Sequence, residues 1–205
     1  MNEAINVLAA AAEVEQGHSA TKLQLATVLL ANKQQLRKAV ALLEALANEG
    51  NRKAQALLGF AYAELGRECY RSLPSKPNGS DALEWLEKAA KAGCKQAYYD
   101  LGMICMRNGR GLSQDMAAAE NWLIAGANAG DADSTHALGK LYLSQASADP
   151  DNVRKAIYWL TNAAAAHNHS SSQRELGQIY LEGILAETDY DESAKWFAKS
   201  LSAEC

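Results

Sequence analysis

Four tryptophans recur at one interval. Trp85, Trp122, Trp159 and Trp196 each stand 37 residues from the last. A fixed period of this size marks stacked helical units, none of which can bury its apolar face alone. The stretch around the first is Asp81-Ala-Leu-Glu-Trp-Leu-Glu-Lys-Ala-Ala-Lys-Ala-Gly93, and it returns in altered form three times. Its kernel is Ala82…Trp85-Leu86, Ala119…Trp122-Leu123, Ala156…Trp159-Leu160 and Ser193…Trp196-Phe197. Ala39…Leu42-Leu43…Gly50 is an earlier copy without tryptophan. Residues three apart share one helical face, so the tryptophan is expected to fill core beside the small residue. Its replacement by alanine is then expected to cost about 3–5 kcal/mol.

A second motif alternates with the first. It reads Ala54…Leu58-Gly59…Tyr62, then Ala97…Leu101-Gly102…Cys105, Leu138-Gly139…Tyr142 and Leu176-Gly177…Tyr180. A mid-helix glycine costs roughly 1 kcal/mol against alanine, so its recurrence predicts close helix approach. The spacing gives one repeat-array domain over 1–205. It comprises an N-terminal helix in 1–17 and helix pairs at 19–50, 51–93, 95–130, 132–168 and 170–203. Gly93 and Gly130 close their copies, and His167-Asn168 stands at that place in the next. The step from Gly59 to Gly102 is 43 residues, against 37 and 38 for the following two. The surplus is assigned to a loop insertion at 67–79, where Pro74, Pro77 and Asn78-Gly79 oppose helix. Asp131, Asp149, Asp151, Asp189, Asp191 and Glu192 read as acids at helix N-termini. Three prolines and abundant alanine complete an all-α expectation: an α/α solenoid of about five pairs plus one N-terminal helix.

Several function classes recede. With 48% hydrophobic and 21% charged residues the chain is no disordered tract. Net charge is −4 and the signs are interspersed, so no nucleic-acid partner is expected. No apolar run reaches the length of a membrane span, and no membrane partner is expected. The N-terminus lacks the basic start and apolar stretch of a secretory signal, which leads to a cytoplasmic expectation. Cys69, Cys94, Cys105 and Cys205 form no C-x-x-C pair and are expected as free thiols, with a Cys94–Cys105 bridge as the alternative. No phosphate-binding loop, His-Glu-x-x-His or Gly-x-Ser-x-Gly occurs. Gly109-Arg110-Gly111 lacks the strand and Gly-Lys-Ser/Thr ending of a phosphate loop. His167, His169 and Cys205 read as loop and terminal residues, not as a metal site. No catalytic, cofactor-binding or metal-ligating residue is assigned, and the chain is read as a non-enzyme without a cofactor.

Leu101-Gly102…Asn108-Gly109-Arg110-Gly111-Leu112…Asp115…Trp122 and Trp85-Leu86-Glu87-Lys88-Ala89-Ala90-Lys91-Ala92-Gly93 resemble the Sel-one-like repeat family, relatives of the tetratricopeptide repeat. The resemblance covers about residues 20–203. It departs most in the first pair, with Ala26 for glycine and Leu42 for tryptophan. It implies a right-handed α/α superhelix acting as a non-enzymatic scaffold or adaptor, with a protein or peptide partner on its concave face. In tetratricopeptide-type arrays the first helix of each pair lines that face. Positions three before and one after the Leu-Gly glycine are i, i+4 neighbours there. They are Ala56 and Phe60, Tyr99 and Met103, His136 and Lys140, Arg174 and Gln178. The series runs from apolar to polar and basic, which suits a peptide with an apolar and then an acidic segment. Two other roles stay open. One is an immunity or chaperone-type protein that neutralises a bacterial effector; the other is an accessory subunit of an envelope-associated enzyme. Trp196, Phe197 and Leu201 near the end suggest a homodimer through the C-terminal helix.

Overall fold

The computed structural model describes residues 19–33, 35–71, 79–107, 113–147, 149, 151–183 and 188–202. The helix expected in 1–17, the prolines, Gly109-Arg110-Gly111 and Cys205 lie outside the described residues. Among the described residues there are ten α-helices and no strand. They are α1 (Ser19–Asn32), α2 (Leu36–Asn48), α3 (Arg52–Arg71), α4 (Gly79–Lys91), α5 (Gln96–Cys105), α6 (Met116–Asn128), α7 (Ala132–Ser144), α8 (Asp151–Ala166), α9 (Ser170–Glu182) and α10 (Tyr190–Ser202). The chain forms two compact units that divide within α5. In the first, α1 packs on α2, α2 on α3 and α3 on α4. In the second, each of α6 to α9 packs on its successor.

The turns between pairs follow from backbone hydrogen bonding. Helix ends leave carbonyls unpaired, and a residue at positive φ lets the chain fold back onto them. Gly50, Gly93 and Gly130 take φ of 86°, 86° and 78°. The N–H of the following residue then donates to a carbonyl five residues back, as Asn51 to Leu46 and Asp131 to Gly126. That same residue starts the next helix. The Asn51 carboxamide oxygen accepts from the N–H groups of Lys53 and Ala54, and the Asp131 carboxylate accepts from Ser134. In the Trp159 copy Asn168 stands where the others have glycine and adopts φ 48°. Asparagine is one of the few side chains that tolerate this region. Asp189 caps α10 through the N–H of Glu192, in keeping with the acids expected at helix starts.

Each of the four pairs from α3–α4 to α9–α10 is locked by one close approach. A Cβ added to Gly102 would lie 2.6 Å from Leu123 Cγ, and one on Gly139 would lie 2.7 Å from Leu160 Cγ. At Gly177 it would meet the Phe197 ring at 2.9 Å. The opposing residue is always the one after tryptophan. Leu86, Leu123 and Leu160 are fully buried. Of the four tryptophans only Trp196 is buried; Trp85, Trp122 and Trp159 are half-buried. The core position in the motif is thus chiefly the leucine, and the tryptophan shields its edge. Trp85 meets Tyr62 with ring centroids 5.6 Å apart, and Lys88 sits 4.3 Å above its ring.

The first lock corrects the register of the sequence reading. Leu86 opposes Gly66, not Gly59, at 2.7 Å from the added Cβ. Gly59 meets Ala92 and Cys94 in the turn after α4. The Leu65-Gly66-x-x-Cys69 motif stands 36 residues before Leu101-Gly102-x-x-Cys105, so the long step disappears. The surplus is instead two turns inside α3, which runs unbroken to Arg71 through residues assigned to a loop. Seven residues advance a helix by almost two whole turns, so Gly59 and Gly66 share one face. Residues 72–78 of that expected loop lie outside the described residues.

Gly139→Ala is expected to destabilise the protein by about 1–3 kcal/mol in urea unfolding, because the methyl group overpacks against Leu160. Adding Leu160→Val should restore part of the loss. A neutral Gly139→Ala would contradict the close-packed lock.

Candidate functional site

In the first unit the register correction moves one candidate. Counted from Gly66, the positions on the first helix are Ala63 and Arg67. Ala63 is fully buried. The Arg67 Nε donates to Asp100 Oδ2 at 2.7 Å and its Nη1 to Glu64 Oε1 at 2.7 Å. Lys33 Nζ stands 2.8 Å from the other oxygen of Glu64. Burial pushes the Glu64 carboxyl up, but Lys33 and Arg67 outweigh it and hold its pKa below the ordinary value. Arg67 is therefore consumed by structure. Phe60 sits two turns nearer the start of α3 and is 48% exposed. Tyr99 is half-buried on the part of α5 in the first unit, and Met103 is half-buried on the part in the second.

The second unit brings four of the predicted residues onto two neighbouring first helices. His136 and Lys140 lie one turn apart on α7, and Arg174 and Gln178 one turn apart on α9. The two helices are joined by His169, which caps α9. The Ser172 N–H donates to His169 Nδ1 at 3.2 Å, so the ring proton resides on Nε2. That nitrogen faces Asp133 Oδ1 on α7 at 3.3 Å. The His136 ring stacks on His169 with centroids 4.7 Å apart. The His136 Nε2 is buried with no hydrogen-bond partner. Burial, with His169 close by and the positive groups of Lys140 and Arg174, lowers the His136 pKa to about 4 against the weaker opposing pull of Asp133.

The cations at the rim are loosely engaged. Lys140 Nζ is 3.7 Å from Glu175 Oε1. Arg174 is exposed, and among the described residues no carboxylate pairs with it. Gln178 donates to Glu182 one turn on. Asp133 and Glu175 escaped the sequence reading, and His169 was read only as a loop residue, because the repeat motif says nothing of residues that meet only when pairs stack. Arg67 was legible in the Leu65-Gly66-x-x-Cys69 match.

No other chemistry stands out. Among the described residues no cluster of His, Cys, Asp or Glu is placed to hold a metal ion. No described helix is long and apolar enough to cross a membrane. Cys69 and Cys94 are free thiols, and Cys69, Cys94 and Cys105 are half-buried.

Helix pairs, glycine locks and capped turns define an α/α repeat protein. The Sel1 repeat family model matches residues 53–94, 95–131, 132–168 and 170–204, and the chain belongs to that family. Helices α1 and α2 precede the matched region. Two solved structures carry the same fold. One is a protective antigen present in uropathogenic Escherichia coli strains, displaying an SLR fold, at 25% identity and TM-score 0.64. That match covers 89% of this chain but spans only 38% of the antigen's length. The other is a Sel1 repeat protein from Oxalobacter formigenes, at 22% identity and TM-score 0.59, covering 91% of this chain and 88% of that one. Sel1 repeats are typically protein–protein interaction modules, and the family is generally a non-catalytic scaffold.

Acid should weaken the fold through His136. Its folded-state pKa lies below the unfolded value, so between pH 6.5 and 4 the unfolded chain binds the proton more readily. Stability contributed here is complete above pH 6.5 and falls towards pH 4. Allowing for partial solvent screening, the expected loss is roughly 1–2 kcal/mol. Urea unfolding of His136→Leu across that range should show a flatter pH dependence than the parent. Identical slopes would remove His136 as the source.

Proposed function

We propose that the chain is a non-enzymatic adaptor that holds a protein or peptide partner on the first helices of its pairs. On the second unit, the α7–α9 surface built from His136, Lys140, Arg174 and Gln178 receives an acidic segment. The observation that carries this reading is the pair of exposed cations on adjacent helices. Lys140 has only a long contact to Glu175, and Arg174 has no carboxylate among the described residues. Among the described residues Arg174 has no carboxylate to give up for a new pair, Lys140 has only the long one, and arginine is a favoured interface anchor. On the first unit, exposed Phe60 and half-buried Tyr99 are the proposed apolar contacts, and Met103 plays that part on the second.

Affinity capture from the native cell, followed by mass spectrometry, identifies the partner. It also separates an adaptor from an effector-neutralising or chaperone-type protein and from an accessory subunit of an envelope enzyme. With the captured partner, Arg174→Ala and Lys140→Ala should each weaken binding by about tenfold, or roughly 1.4 kcal/mol. The loss should shrink at high salt, as exposed charge pairs are screened. Unchanged affinity in both folded variants would move the interface elsewhere.

A second copy of the chain on α10 is the accompanying proposal. Leu201 is 69% exposed there, whereas Ala90 and Ala164 at the same place in α4 and α8 are buried. Sedimentation should show a mass that rises with concentration. A constant monomer mass would exclude this contact.

A further inference from the structure

We infer that Glu175 is an internal competitor for Lys140: it holds the ammonium group until a partner carboxylate takes its place, and so raises the acidity a segment needs in order to dock. This rests on the acidic-partner reading above and adds the residue that governs its selectivity. The observation behind it is an ion pair that recurs at one register. In the first unit Arg67 follows the locking Gly66 of α3 and meets Asp100, two residues before the locking Gly102 of α5. In the second unit Lys140 follows Gly139 of α7 and meets Glu175, two residues before Gly177 of α9. From α5 to α7 the same two positions are Met103 and Ala137, which carry no charge to pair.

The two pairs differ in how firmly they close. Arg67 and Asp100 stand 2.7 Å apart with 17% and 19% of their side chains exposed. Glu64 holds a second nitrogen of the same guanidinium. In the second unit lysine replaces arginine, and Ala137 stands at the place of Glu64. Lysine presents a point charge without arginine's fork. The contact lengthens to 3.7 Å, and Lys140 and Glu175 are 53% and 29% exposed. An exposed pair of this kind adds little to stability, so a partner can displace it. Arg174 precedes Glu175 in α9, and consecutive helix positions do not face each other, which leaves Arg174 to receive the first carboxylate. The next carboxylate of the same segment then reaches Lys140 at high effective concentration and outcompetes Glu175.

The full chain is titrated calorimetrically at pH 7 with an acetylated, amidated peptide of two leucines followed by four glutamates. Glu175→Gln should bind about three- to fivefold tighter than the parent, the scale of one exposed ion pair. Glu175→Asp keeps the charge but shortens its reach by a methylene, and should bind about two- to threefold tighter. In a Lys140→Met background the Glu175→Asp gain should vanish. Thermal melts followed by circular dichroism check that each variant is folded. A gain in Glu175→Gln with none in Glu175→Asp would reduce Glu175 to a background charge and overturn the competition. Equal or weaker binding by Glu175→Gln would overturn it too, and the acidic-partner reading would survive if the parent binds and Arg174→Ala weakens that binding. No binding by the parent or by Glu175→Gln at millimolar peptide would overturn both.

Discussion

Everything in this chain depends on a glycine lying against the residue that follows tryptophan. In an isolated helix the glycine is a liability of roughly 1 kcal/mol. Across the pair it admits a leucine to the axis of its partner, and fully burying that leucine is worth about 1.5–3 kcal/mol. The exchange favours the glycine only when the helices cross at that point, so the contact fixes both position and register. Leu86, Leu123 and Leu160 fill it in three copies, and the Phe197 ring takes the place in the last. Turns closed by Gly50, Gly93 and Gly130 then deliver the chain to the next pair in a set direction.

The two-turn lengthening of α3 follows the same logic. An insertion of seven residues rotates the following helix by only about 20° from its former direction. Gly59 and Gly66 therefore face one way, and each finds a close neighbour in or after α4. The added turns carry Phe60 outward, and Glu64 inward to meet Arg67 and Lys33. A buried charge network of this kind is a weak source of stability, because desolvation offsets its attraction. Its geometry ties the end of α1, α3 and α5 together, since Lys33 and Arg67 both pair with Glu64 and Arg67 also pairs with Asp100.

Much of this was legible in the residues. The 37-residue recurrence of tryptophan exposed the pairs, and the glycines and His167-Asn168 marked their turns, because backbone conformation is a local property. The same reading took Leu58-Gly59 as the first copy and passed over Leu65-Gly66, because the Leu-Gly pattern occurs twice, seven residues apart, and does not by itself say which glycine meets the partner helix. It also gave the tryptophans the core role that the neighbouring leucines hold. What local pattern could not show is the company of His136. His169 reaches it only because Asn168 turns the chain, and Lys140 meets Glu175 only when α7 and α9 lie side by side. The surface thus draws its electrostatic character from residues that no repeat motif specifies.

The scaffold and the surface divide the labour. Locks and capped turns hold the helices, which frees the intervening positions to vary in chemistry, and the cations of the second unit are the most clearly unspent of these. The central claim is that register is set by the glycine lock and that α3 holds two surplus turns. Deleting residues 59–65 joins Leu58 to Gly66 and removes those turns whole, whereas deleting 59–63 rotates the remaining helix by about 140°. Urea unfolding of the two variants, followed by circular dichroism, is the most direct measurement. The seven-residue deletion should remain helical and unfold cooperatively, and the five-residue deletion should not. Equal loss of cooperative structure in both would contradict the account.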